Sequence, residues 1–125
     1  MNILKDKVCI ITGGAGSIGL ATARLFLAEG AKVMLTDLHR NSLDAAAKAL
    51  DAGGNLETCA ADVSNAASVR GMVGTTVRCW GEIDVVFSNA GIFGVVAPIS
   101  EYPEETFDAV YAVHVRGAFL TCKYA

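Results

Sequence analysis

The residues of this chain with the clearest chemical purpose are the run Gly13-Gly14-Ala15-Gly16-Ser17-Ile18-Gly19 and an aspartate, Asp37, 18 positions beyond its last glycine. Gly14, Gly16 and Gly19 have the G-x-G-x-x-G spacing and lie between an apolar run and a stretch of helical periodicity. Backbone without side chains turns tightly and lets a pyrophosphate approach the main chain. A helix beginning near Ser17 would aim free N–H groups and its positive end at that phosphate. Asp37 closes a second apolar run, where a carboxylate can accept hydrogen bonds from adenosine ribose hydroxyls and repel a 2'-phosphate. This favours NAD over NADP. His39 and Arg40 stand close by, and an arginine there can hold a 2'-phosphate; Arg40 is read here as a solvated loop charge. The plainer reading of the turn, glycines serving packing alone, remains beside the phosphate-binding one.

The bulk properties narrow the partners. With 125 residues, 53 % of them apolar, and a mean hydropathy of +0.44, the chain can fill a core as a single domain over 1–125. Its formal charge of -3 comes without any Lys/Arg run, so it offers no electrostatic footprint for nucleic acid or an anionic membrane. Small molecules become the expected partners. No apolar run approaches the roughly 18 residues of a membrane span. Cys9, Cys59, Cys79 and Cys122 are spaced too irregularly for a zinc ribbon or a Cys-x-x-Cys redox pair. They read as reduced core thiols with no metal site, and the expected compartment is the cytoplasm.

Positioning the glycine turn and Asp37 requires a strand before the turn, a helix after it and a second strand ending on the acid. The periodicity predicts strands over 7–12, 32–36, 56–61 and 83–88. It predicts helices over 17–29, from 41 or 42 to 52, over 65–80, and from about 103 to the last residue. Gly30 is placed to end the first helix, Gly53-Gly54 the second, and Ser64 or Asn65 to open the third. Pro103 is expected in the first turn of the fourth helix, with Glu104 and Glu105 facing the positive end of its dipole. Strand and helix alternating four times forces parallel strands and right-handed crossovers. The fold class is α/β: a partial Rossmann-type doubly wound parallel sheet, strand order 3-2-1-4, with flanking helices. The last helix has no stop signal and strand four no further partner, the look of an N-terminal fragment.

The same residues resemble a known family. Thr12-Gly13 followed by Ser17-Ile18-Gly19 is similar to the T-G-x-x-x-G-x-G turn of the short-chain dehydrogenase/reductase family. Asp62-Val63-Ser64 resembles its D-V-S/T segment, and Ser88-Asn89-Ala90-Gly91 its N-N-A-G. The resemblance implies an NAD(P)-dependent oxidoreductase passing hydride between a nicotinamide and an alcohol or carbonyl substrate. By it, Gly13, Ser17, Ile18 and Gly19 would line the pyrophosphate, and Asp37 and Leu38 would meet the ribose. Asp62 would bond the adenine amino group with Val63 beside the ring. Asn89, Ala90 and Gly91 would border the nicotinamide-side ribose, with Val113 among the cofactor-facing residues. Asp62 and Asn89 have a second reading, as caps of helix or turn N–H groups.

Three departures stand out. Ser17 replaces the second glycine of the family turn, and Ser88 the first asparagine of N-N-A-G. In residues 113–120, which resemble the N-V-x-G-x-F segment, His114 occupies the place of the catalytic asparagine of an Asn-Ser-Tyr-Lys tetrad. Helical spacing puts His114 on one inward face with Phe107, Tyr111, Ala118 and Thr121. It is then either a core histidine bonded to a neighbouring carbonyl or a holder of a proton-relay water whose charge changes near neutral pH. No tyrosine is followed four residues later by lysine, so the catalytic Ser, Tyr and Lys are expected beyond the chain end and the 125 residues alone inactive. A methyltransferase would carry an acid just before the glycines, where this chain has Ile11-Thr12; a non-catalytic dinucleotide-binding module is the other alternative. The family resemblance also implies a homo-oligomer at full length, and leaves the substrate open.

Overall fold

The structure, a computed structural model, describes residues 2–125. Four parallel strands, β1 (Val8–Ile11), β2 (Lys32–Asp37), β3 (Leu56–Ala60) and β4 (Val85–Phe87), lie in the order β3-β2-β1-β4. Between them run α1 (Ser17–Ala28), α2 (Arg40–Leu50) and α3 (Ala66–Trp80). After β4 come α4 (Glu104–Tyr111), a π turn (Ala112–Arg116) and α5 (Gly117–Tyr124).

The two central strands read as unbroken apolar runs because both faces are covered. Cys9 and Ile11 of β1, with Val33 and Leu35 of β2, point into one layer with Ala23 of α1 and with Leu43 and Ala46 of α2. Ile10 and Met34 point the other way, to Val69 and Met72 of α3 and Leu120 of α5. This is the doubly wound arrangement expected from the sequence. Register brings Ile11 level with Leu35 and Phe87, and Asp37 level with Ala60. The carboxyl ends of all four strands therefore meet at one edge, where β1 separates β2 from β4, and a crevice opens at such a switch point.

Several boundaries differ from the sequence expectation, each for a local reason. The first helix does end at Gly30, whose φ of +88 lets its N–H reach the Leu27 carbonyl and that of Ala31 the Phe26 carbonyl. The second begins at Arg40, one residue early, with His39 at the N-cap. It closes through Asp51, an aspartate at φ 47, instead of Gly53. In α3 the Asn65 side chain caps the helix by accepting from the Ser68 N–H at 2.9 Å. Pro103 is the N-cap of α4 and does not stand inside its first turn. Strand four is shorter than 83–88. Asp84 bonds Val8 both ways, its N–H donating to the Val8 carbonyl at 2.8 Å and its carboxylate accepting from Val8 N–H at 2.9 Å, and Asn89 N–H turns from the ladder to the Thr12 hydroxyl just past β1.

The last helix is not continuous. The π turn inserts a residue out of the 3.6-residue phase, so the face drawn through residues 107, 111, 114, 118 and 121 does not hold. Phe107 is 58 % and Tyr111 55 % exposed. His114 is exposed as well, while Thr121 is buried. The expectation that His114 points inward into a core is corrected accordingly.

Candidate cofactor site

The crevice is a cleft of about 430 Å³ walled by the turn after β1, the ends of β2 and β3, and the segment after β4. Gly13 opens the turn at φ +64, and a Cβ there would sit 3.0 Å from Ala90 Cα and 3.1 Å from Asn89 Nδ2. Both the backbone angle and the close approach of the β4 segment demand glycine. Gly14 packs against Leu35, with its N–H on the Thr36 carbonyl at 2.8 Å. Gly16 is the N-cap of α1 and offers no side-chain cap, and no acid occupies the first turn. The leading N–H groups and positive end of α1 are therefore left for a ligand at Ser17 and Ile18, both of which line the cleft.

Gly19 is placed differently. It does not wall the cleft; a Cβ there would collide with the Gly13 carbonyl and approach Gly14 Cα to 2.8 Å. Its bareness lets α1 close onto the turn, which shapes the phosphate cradle from behind.

On the second wall, the Asp37 carboxylate accepts from Ala15 N–H at 3.0 Å and from Leu38 N–H at 2.7 Å. The acid that ends β2 is thus oriented by the glycine turn itself. Arg40 is turned away, its Nη1 2.7 Å from Thr58 Oγ1 and 3.6 Å from the Asp44 carboxylate. Asp62 and Val63 line the cleft at the end of β3. Asp62 Oδ1 accepts from the N–H of Ser64 at 2.9 Å and its hydroxyl at 2.6 Å, so the turn-capping reading of this residue describes an observed role.

Thr12 joins the two halves. Its buried hydroxyl accepts from Asn89 N–H at 2.9 Å and Ala90 N–H at 3.0 Å. The Asn89 side chain donates to the Gly13 carbonyl at 3.4 Å. Asn89, Ala90 and Gly91 complete the wall, with Val113 of the π turn opposite. His114 Nε2 lies 3.0 Å from the nitrogen and 2.9 Å from the oxygen of Ile92, tight against Gly91, where a Cβ would fall 2.5 Å from its Cε1. The carbonyl contact matches the structural reading of His114, although the ring is exposed. Arg116 Nε donates to the Ser64 carbonyl at 3.0 Å, and Gly117 lets α5 approach Val63, a Cβ there falling 2.8 Å from Val63 Cγ2.

Gly16, Thr36, His39, Ala61 and Ile92 also line the cleft. Apart from Gly16, a member of the G-x-G-x-x-G spacing, the sequence reading assigned them no site role. Ala61 and Ile92 adjoin the quoted motifs, a signal that could have found them; His39 and Thr36 flank Asp37 by one or two positions.

The profile of the short chain dehydrogenases matches residues 7–125. Levodione reductase of Leifsonia aquatica is 41 % identical over 118 residues, covering 92 % of this chain and 44 % of that protein. The uncharacterized oxidoreductase YxbG of Bacillus subtilis is 38 % identical over 125 residues, covering 99 % and 46 %. The crystal structure of an NAD+-bound xylitol dehydrogenase superposes with a TM-score of 0.93 at 37 % identity, over 98 % of this chain and 47 % of that one. The chain belongs to the short-chain dehydrogenase family. It spans about half the length of the curated relatives it matches.

Proposed function

We propose that this chain is the dinucleotide-binding half of an NAD-dependent oxidoreductase acting on a small alcohol or carbonyl substrate. The observation that carries the reading is Asp37: its carboxylate is held at the cleft by Ala15 and Leu38 N–H groups while Arg40 is tied to Thr58. A carboxylate so placed accepts from ribose hydroxyls and repels a 2'-phosphate. The turn fits a pyrophosphate, since Gly13 and Gly16 line the cleft as bare backbone and α1 begins without a capping side chain.

In this reading Gly13, Ser17 and Ile18 hold the pyrophosphate, with Gly19 supporting the turn. Asp37 and Leu38 hold the ribose, Asp62 and Val63 the adenine. Asn89, Ala90, Gly91 and Val113 border the nicotinamide-side ribose. When bound, the nicotinamide supplies the ring carbon that gives or takes hydride. Free thiols at Cys9, Cys59, Cys79 and Cys122 support a reducing compartment such as the cytoplasm. Exposed Phe107, Tyr111, Val115 and Phe119 support pairing of two copies through α4 and α5 in the complete protein.

Calorimetric titration with NAD and NADP tests the cofactor. NAD is expected to bind more tightly, and tighter binding of NADP would overturn the reading and promote Arg40. Binding without turnover of any secondary alcohol by the complete protein would mark a non-catalytic dinucleotide module instead.

A further inference from the structure

The turn that carries Asp62 from β3 into α3 is tied both from within and from the last helix. Within it, Asp62 Oδ1 accepts the Ser64 N–H at 2.9 Å and the Ser64 hydroxyl at 2.6 Å, while the Asp62 N–H donates to Ser68 Oγ at 2.8 Å. Among the described residues no group donates to Asp62 Oδ2, on a side chain that lines the cleft. A carboxylate held by one oxygen keeps the lone pairs of the other for a ligand.

The Ser64 carbonyl finds no donor inside α3. Asn65 is the N-cap, and its carbonyl opens the helical ladder by taking the Val69 N–H at 3.0 Å; Ser64 stands one residue ahead of it. The donor comes instead from Arg116, whose Nε lies 3.0 Å from the Ser64 oxygen, 52 positions away in sequence. Arg116 makes no ion pair among the described residues, so this bond is what fixes its guanidinium. The neighbouring Gly117 brings α5 against Val63, where a Cβ would fall 2.8 Å from Val63 Cγ2. One stretch of the last helix thus walls the cleft with Val113 and braces the turn after β3 with Arg116 and Gly117.

We propose that Arg116 is a positioning residue for adenine recognition: it holds Ser64 by the carbonyl, and Ser64 in turn aims the free oxygen of Asp62 at the exocyclic amino group of the base. The inference rests on the reading of Asp62 as the acceptor of that amino group. A guanidinium N–H suits the task because it stays protonated at any working pH. Without it the peptide between Ser64 and Asn65 is free to turn its carbonyl to water, and the grip of Ser64 on Asp62 Oδ1 loosens with it. The base then meets a carboxylate of no fixed direction. Contacts to the pyrophosphate and ribose are untouched, so the loss falls on the amino group alone.

Two variants separate the bond from the charge. Arg116→Met keeps an unbranched stem and removes the donor; Arg116→Gln places an uncharged N–H as many bonds from the backbone as Nε. The first arm needs no cofactor: hydrogen exchange of the Ser64 amide, followed by NMR, is expected to quicken about three- to tenfold in Arg116→Met, the worth of roughly one hydrogen bond, and to stay near the unmodified rate in Arg116→Gln. The second arm compares, by calorimetry, NAD with the dinucleotide in which hypoxanthine replaces adenine and a carbonyl oxygen stands where the amino group was. The unmodified protein is expected to favour NAD. Arg116→Met should lose about three- to tenfold in NAD affinity with the analogue unchanged, and Arg116→Gln should restore the preference. A Ser64 amide indifferent to Arg116→Met, or an equal loss for both dinucleotides, would overturn the proposal. So would Arg116→Gln matching Arg116→Met, since the charge and not the bond would then be acting. Equal binding of both dinucleotides by the unmodified protein would remove Asp62 from the adenine site and the proposal with it. Absence of binding by either would overturn the cofactor reading, and the amide exchange would still decide whether Arg116 holds the turn.

Discussion

The hydroxyl of Thr12, at the end of β1, lies 2.9 Å from the backbone nitrogen of Asn89, 77 positions away in sequence. The same oxygen takes the Ala90 N–H at 3.0 Å, so a single buried side chain satisfies two donors of the cleft wall. Thr12→Val keeps the shape and removes the acceptor. We expect it to cost about 1–3 kcal/mol, the penalty of leaving buried donors unpaired, as read by urea unfolding. Thr12→Ser retains the oxygen and should lose less; equal stability of Thr12→Val and the unmodified chain would show that those amides find water.

Asp37 should set the choice between cofactors. Asp37→Ser removes the charge facing a 2'-phosphate and the acceptor of the Ala15 N–H. NAD affinity is expected to fall about tenfold or more, as for a hydrogen bond to a charged group, with NADP gaining relative to NAD. Calorimetry with both nucleotides checks it, and an unchanged ratio would remove Asp37 from the ribose site.

Gly13→Val should abolish NAD binding while the far-ultraviolet circular dichroism stays that of an α/β fold. At φ +64 a branched residue is strained by about 1–3 kcal/mol. Its side chain would also meet Ala90 Cα and Asn89 Nδ2, both near 3 Å from a Cβ. Gly19→Ala acts by another route, forcing α1 off the turn, and is expected to lower the thermal midpoint before it alters cofactor choice. Undiminished NAD affinity in Gly13→Val would mean that the turn is not the phosphate site.

Burial pushes the Cys9 thiol up from 9.0 to about 11, with the Asp84 carboxylate adding to the effect. The unfolded chain releases this proton first as pH rises, so between pH 9 and 11 the folded state binds more protons than the unfolded one. Stability is therefore present in full below pH 9 and declines above it, at a slope of about 1.4 kcal/mol per pH unit. Denaturant midpoints from pH 8 to 11 should fall less steeply in Cys9→Ala. In the native protein at pH 8, thiol-alkylating reagents are expected to label exposed Cys79 and Cys122 well before Cys9.

The amino-acid order alone determined the alternation of strands and helices, and with it the parallel sheet. An unbroken apolar run such as residues 8–11 suits a strand covered on both faces, and Gly30 marks a helix end by the left-handed angle it alone takes cheaply. The glycine turn and the acid after β2 were legible for the same reason, since backbone angles and strand ends are local properties. Tertiary structure decided the rest. Nothing in residues 112–116 announces a π turn, so a face extrapolated at 3.6 residues per turn did not carry through from exposed His114 to buried Thr121. The direction of Arg40 toward Thr58, the hold of Ala15 on Asp37 and the meeting of His114 with Ile92 join groups 18 to 22 positions apart. Which atoms meet over such distances follows from sheet register and helix phase, and these are settled only when both sides of the sheet are packed at once.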